Sequence, residues 1–190
     1  GRLMVQPVQA ERQTLAFWKQ YLDLMRTTHN MPVAFNPLFL NEMPLIADYA
    51  PISYQISNWG SRNPAWNPPT ATYATGPLGR AKAVKDLGVK WMQPVSIQDE
   101  RPNQGMFDEA ENTTNLRNTW QIARSSNADS VQLLTWNDYS ENTQTAPSDR
   151  FGWSYLDLQS YYLTWYKTGT APKIVRDTIY WHNTASGIKR

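Results

Sequence analysis

Cysteine is absent from the 190 residues, and histidine occurs only twice. No disulfide and no thiolate nucleophile is therefore open to the chain. His29 and His182 belong to no metal-ligand spacing, so no metal and no other cofactor is expected. Long apolar runs are missing as well. Nothing approaches the roughly 20 residues that span a bilayer, so no membrane partner is expected. The opening Gly1–Pro7 is too short and polar for a signal peptide and has no initiator Met, which reads as a chain processed or cut from something longer. Charge of one sign is also lacking: 18 Lys and Arg, scattered along the chain, face 16 Asp and Glu for a net +2. A nucleic-acid binder would cluster its basic residues, so no nucleic-acid partner is expected.

Several motifs are missing too. No Gly-x-Gly-x-x-Gly follows a strand, and no Gly-x-Ser-x-Gly elbow occurs. Gly76–Lys82 lacks the Gly-Lys-Ser/Thr ending of a phosphate loop and reads as a turn before a helix. What the chain has in quantity is aromatic: nine Trp and ten Tyr. Many sit beside polar or turn residues, as in Asn58-Trp59-Gly60, Ala65-Trp66-Asn67 and Thr135-Trp136-Asn137-Asp138. Any single Trp reads first as a packing residue. Taken together the loop clusters favour a binding surface, because rings with a polar edge suit the faces of sugars.

Periodicity predicts strands at 3–8, 32–35, 52–57, 89–95 and 130–135. It predicts helices at 11–28, 79–87, 113–126 and 155–167, with a short helical stretch near 42–49. An alternating segment, 173–181, reads as an added strand. Such alternation implies a parallel sheet with helices outside it. A doubly wound open sheet and part of a (β/α)₈ barrel both fit, and loop lengths favour the barrel. The long loops 58–77, 98–112 and 136–153 all follow strands, where barrel enzymes build their sites, and the returns from helix to strand are short. The expected fold class is thus α/β, a partial (β/α)₈ (TIM) barrel of about five C-terminal strand-helix units over 1–172, with a terminal strand and tail over 173–190.

The sharpest stretch is Thr135-Trp136-Asn137-Asp138-Tyr139-Ser140-Glu141. A strand ends and two carboxyl groups follow at once, at the catalytic rim of a barrel. Glycoside hydrolysis uses two carboxyl groups, one to protonate the leaving oxygen and one to activate water or attack carbon. Trp136 and Tyr139 are expected to desolvate one carboxyl and raise its pKa, as a general acid needs. As bare pattern Asp-x-x-Glu is weak, since Asp138 could equally cap the next segment and Glu141 be solvated. Asn58, Trp59 and Trp66 read as sugar-binding residues, with Gln98 and Asn137 as hydrogen-bond donors to hydroxyls. Asp99, with Glu100 and Arg101, reads either as a sugar contact or as a solvated turn, the turn being favoured. Asp108, Glu109 and Glu111 precede a helix, where the dipole alone explains acidic residues.

The motif Thr135–Glu141 resembles the Thr-Trp-Asn-Asp-Tyr-Gly-Glu signature of glycoside hydrolase family 71, the α-1,3-glucanases or mutanases. Asp48–Trp59 is similar to that family's Asp-Gly strand leading to an aromatic-rich loop. Met92–Ser96 is similar to its Met-x-Pro-Val-Ser strand, and Tyr161–Gly169 with Ile179-Tyr180-Trp181 to the stretch closing its catalytic domain. The resemblance implies a secreted, inverting endo-hydrolase of α-1,3-glucan. By position Asp138 and Glu141 match the family's acidic residues, with Glu141 taken as general acid and Asp138 as base or electrostatic support, or the reverse. Ser140 replaces the usual Gly, and Asn142–Pro147 departs from Ser-His-Tyr-Ile-Gly-Pro, which bears on the linkage more than on the class. If the first strand is the fourth of a barrel, three units are missing, and the partner would be that N-terminal part. Rival readings are a non-catalytic carbohydrate-binding fragment, a barrel hydrolase of another polysaccharide such as α-mannan, and an interaction fragment that works only beside its missing half.

Overall fold

A computed structural model describes residues 1–173. All but the first residue of the expected strand 173–181, and the tail after it, lie outside them. The elements run β1 (Leu3–Val5), α1 (Leu15–Thr27), β2 (Val33–Phe35), β3 (Leu38–Phe39), α2 (Ile46–Tyr49), β4 (Gln55–Asn58), α3 (Pro77–Asp86), β5 (Lys90–Ser96), β6 (Asp99–Arg101), β7 (Met106–Asp108), α4 (Thr114–Ser125), β8 (Ser130–Leu134) and α5 (Ser154–Thr168).

β1 pairs parallel with β2, and β3, β4, β5 and β8 form a parallel sheet in that order. The two groups are continuous. Val8 bridges Leu38, and the Tyr54 N–H donates to Phe35 O at 2.8 Å. β2 and β3 are two halves of one strand, interrupted at Asn36-Pro37, where proline brings no N–H to the ladder. Five parallel strands therefore follow one another in chain order, as in a barrel. Among the described residues, β1 and β8 each pair on one side only.

The sheet is curved, and its two faces differ. Gln6, just past β1, donates from Nε2 to Gln132 Oε1 of β8 at 2.7 Å, so the first and last strands meet across the concave face. That face carries polar links from strand to strand: Ser130 Oγ to Gln55 Oε1 at 2.8 Å, and Ser57 Oγ to the Met92 carbonyl at 2.9 Å. On the convex face Phe35, Ile56, Trp91 and Val95 share one apolar cluster with Trp18 of α1, Val84 of α3 and Leu116 and Trp120 of α4. A doubly wound sheet would need apolar cover on both faces. Helices on the outside and a polar lumen mark a barrel arc.

The helices end for the expected reasons. Thr14 caps α1 by accepting from Phe17 N–H at 3.1 Å, and Gly169 closes α5 in the left-handed conformation. Several boundaries differ from expectation. The first strand stops at Val5, ahead of Pro7, and α1 starts at Leu15 because Ala10–Arg12 winds as a separate 3₁₀ turn. The third expected strand begins at Gln55 because Ala50–Ile52 is a 3₁₀ turn around Pro51. The stretch 98–112 is not merely a loop: β6 and β7 pair antiparallel as a hairpin, turned by Gly105 at φ 68°. Three-residue strands are too short to display alternation.

Candidate active site

β8 ends at Leu134, and the chain then folds into a closed turn. Thr135 N–H donates to Thr143 O at 3.0 Å, Thr143 N–H to Asp138 O at 3.2 Å, and Thr145 N–H to Thr135 O at 2.9 Å. Asp138 is wired into this turn: its Oδ1 accepts from Ser140 Oγ at 2.6 Å and from Glu141 N–H at 3.2 Å. The turn thus sets Asp138 and Glu141 side by side, both half-buried, at the C-terminal end of a parallel strand. Asp138 does cap the turn, by accepting from the backbone N–H of Glu141.

The hairpin braces the turn from the side. Glu100 N–H donates to Glu141 O at 2.9 Å, and Asn142 Nδ2 donates to Glu100 O at 2.7 Å. Arg101 grips Asp99 with two bonds of 2.7 Å and reaches Glu141 Oε1 with Nη1 at 3.2 Å. Asp99 is 7% exposed, so the solvated turn expected at 99–101 is replaced by a half-buried ion-pair chain, Asp99–Arg101–Glu141. Its bond to Asp99, with Glu141 and Asp138 close by, holds the Arg101 guanidinium above its ordinary value.

A second arginine, Arg62, was not singled out from the sequence. It is 5% exposed, donates from Nη1 to the Trp59 carbonyl at 3.0 Å and lies 5.0 Å from the Trp59 ring. Burial pushes it below its ordinary value, opposed chiefly by Asp99 and Glu141. An arginine inside a long aromatic loop was its only sequence signal. Gly60 lets this loop lie down on β5: its φ is 70°, and a Cβ there would meet Pro94 Cβ at 2.8 Å.

Trp136 and Tyr139, expected to cover one of the carboxyl groups, stand open to solvent. They are 57% and 51% exposed, with Tyr139 Oη donating to the Pro147 carbonyl at 3.2 Å. With Asn137, also exposed, they form an open polar and aromatic rim on the turn. Asn58 and Trp66 line a different cavity of about 300 Å³, together with Gly60, Arg80 and Gln93. Trp66 is 69% exposed at its mouth. Behind Arg80 lies Glu42, 1% exposed, with Oε1 3.7 Å from Arg80 Nε, another acidic residue past a strand end, marked by no motif. No residue of the Asp138–Glu141 turn lines this cavity. Gln98 is buried away from the rim, accepting from Tyr155 Oη at 3.4 Å. The candidates therefore divide. Trp136, Asn137, Asp138, Tyr139 and Glu141 share the turn, and Asp99 joins them through Arg101. Trp59 packs beside them on Arg62, Asn58 and Trp66 sit in the neighbouring cavity, and Gln98 faces elsewhere. Among the described residues no group of His, Cys, Asp or Glu could hold a metal ion, and no helix is long and apolar enough to cross a membrane.

No protein-family model matches the chain, and no curated protein matches it significantly. Solved structures do. The GH99 endo-alpha-mannosidase from Bacteroides thetaiotaomicron superposes with a TM-score of 0.70 at 16% identity, over 90% of this chain and 56% of that one. A second structure of that GH99 endo-alpha-mannosidase, in complex with BIS-TRIS-propane, gives a TM-score of 0.59 at 12% identity over 87% of this chain and 69% of that one. The chain has an α/β fold that matches part of those structures, a partial (β/α)₈ barrel. It spans little more than half of the first structure. These structures belong to family 99, so the resemblance to family 71 stands on its motifs alone.

Proposed function

We propose that this chain forms the C-terminal part of the catalytic barrel of a glycoside hydrolase acting on an α-linked polysaccharide. One observation carries the reading: the turn after β8 presents Asp138 and Glu141 together at the strand end where a barrel of this fold does its chemistry. Two carboxyl groups flanking a glycosidic bond suffice for its hydrolysis without metal or cofactor. Glu141 is the proposed proton donor and Asp138 the base or electrostatic support. Arg101 pairs with Glu141, a contact that a glycan entering the site has to loosen. Asp99 holds Arg101 by two bonds of its own and keeps it in place when that happens. Trp136 and Tyr139 offer exposed ring faces for the sugars on either side.

The motif Thr135–Glu141 supports α-1,3-glucan as substrate, with secretion as the matching location. The fold shared with endo-alpha-mannosidase structures supports a second reading, α-mannan. Under either reading the edges of β1 and β8 that stay unpaired among the described residues fit strands supplied by the remainder of a barrel. Reducing-sugar release from α-1,3-glucan and from α-mannan tests the proposal, with Asp138→Asn and Glu141→Gln alongside. Each variant is expected to lose about a hundredfold or more of the rate while still binding the preferred glycan. Activity that survives both substitutions overturns the assignment. Glycan binding that is retained with no product from the parent under any condition points instead to a non-catalytic carbohydrate-binding fragment.

A further inference from the structure

Behind the carboxylate turn lies a second cavity, of about 230 Å³, between the hairpin, the start of α4 and the start of α5. We propose that it binds a small ammonium compound bearing hydroxyl groups, the chemistry of an amino sugar. Its walls carry two buried polar groups with nothing to bond. Gln98 is 4% exposed and uses Oε1 to accept from Tyr155, which leaves Nε2 without an acceptor. Ser154 is 8% exposed, and its Oγ has no partner. Buried polar groups in folded proteins are bonded almost without exception, so a pair of orphans lining one cavity calls for a ligand that offers hydroxyl oxygens.

The charge is as one-sided as the hydrogen bonding. Glu100, Glu109 and Glu111 line the cavity, and no Lys or Arg does so among the described residues. Arg150 acts on Tyr155 but is not part of the lining. The start of α4 would by itself account for Glu109 and Glu111. It does not account for Gln98 and Ser154. Carboxylates around the cavity and unsatisfied polar groups in its wall together select a cation with hydroxyls rather than a bare cation or a neutral sugar. The Tyr155 ring adds a surface for the ligand's C–H face.

The proposal does not rest on hydrolase activity, and its test needs none. Binding of glucosamine and of glucose to the parent chain is measured by titration calorimetry and by ligand-observed NMR, at low ionic strength and slightly acid pH. Glucosamine is expected to bind saturably, about tenfold or more tighter than glucose. The double variant Glu109→Gln/Glu111→Gln, altered at exposed positions and checked by circular dichroism, is expected to remove that preference. Gln98→Leu is expected to weaken both sugars, and Glu141→Gln to change neither. No saturable binding of glucosamine, or equal binding of the two sugars, overturns the proposal. So does a preference that survives the double variant, or one that Glu141→Gln abolishes, since that would place the ligand at the carboxylate turn.

Discussion

On the convex face of the sheet Ile56, Trp91 and Val95 share a cluster with Leu116 and Trp120 of α4, each no more than 1% exposed. At the strand ends Trp66, Trp136 and Tyr139 all stand more than half exposed. The same residue type, tryptophan, serves both regions. What separates them is the neighbours. Trp91 and Trp120 spend their indole N–H groups inside the protein, on Gln93 Oε1 at 3.0 Å and Gln159 Oε1 at 2.7 Å. A Trp that is both enclosed and hydrogen-bonded is a structural part. One left open on a polar loop at the strand ends has its ring free for something else.

The sharpest way to break this comparison is Trp120→Ala. Removing a fully buried indole leaves a cavity and strips Gln159 of its one donor, so unfolding in urea should cost about 3–5 kcal/mol less than in the parent. A loss below about 1 kcal/mol would mean that α4 is not anchored through this ring, and the division between core and rim would fail at its strongest point.

Tyr155 tests the boundary between the two regions, because it is buried yet lines the second cavity. Burial, with a smaller push from Glu100, raises its phenol from 10.0 to about 12. The folded state therefore keeps a proton that the unfolded chain loses first. Stability is complete below the unfolded value of 10.0 and falls as pH rises toward about 12, by up to about 1.4 kcal/mol per pH unit. Tyr49, Tyr162 and Tyr166 are shifted the same way and add to the same slope. Chemical unfolding at a series of alkaline pH values should show a shallower decline in Tyr155→Phe than in the parent. Parallel declines would mean that the Tyr155 phenol is in contact with solvent.

The core was largely legible in the sequence and the rim only in part. Apolar spacing places Trp18, Leu116 and Trp120 on the inner sides of their helices, and the long loops mark the C-terminal end of the strands as the end that gathers the rim. Local reading also finds the Asp138–Glu141 pair, since a strand and its following turn are contiguous. It does not find what holds that pair. Arg101 reaches Glu141 from a hairpin whose strands are too short to carry a pattern, and Arg62 is tied in by burial and charge rather than by any motif. The contact of Gln6 with Gln132 depends on the curvature of the whole sheet, which no local pattern contains. Gln98 misleads in the opposite direction: it follows a strand end, as a rim residue should, but its side chain turns inward to Tyr155.

The smallest expected effect on stability is also the most specific to the rim. Trp66→Ala and Trp136→Ala remove rings that are 69% and 57% exposed, so each should leave unfolding free energy within about 0.5 kcal/mol of the parent. Their effect should fall on the glycan instead. A ring that stacks on a sugar in ground state and transition state alike contributes uniform binding, and its loss raises KM while leaving kcat nearly unchanged. A several-fold rise, corresponding to about 1 kcal/mol, is expected for each ring that carries a sugar. The two need not behave alike. Trp136 lies on the carboxylate turn itself, whereas Trp66 guards the cavity beside Asn58 and Arg80. If Trp136→Ala alone raises KM, the glycan follows the turn and the neighbouring cavity is not a subsite. If both do, the chain carries sugar across two strand ends, and Asn58 and Arg80 become the next residues to test.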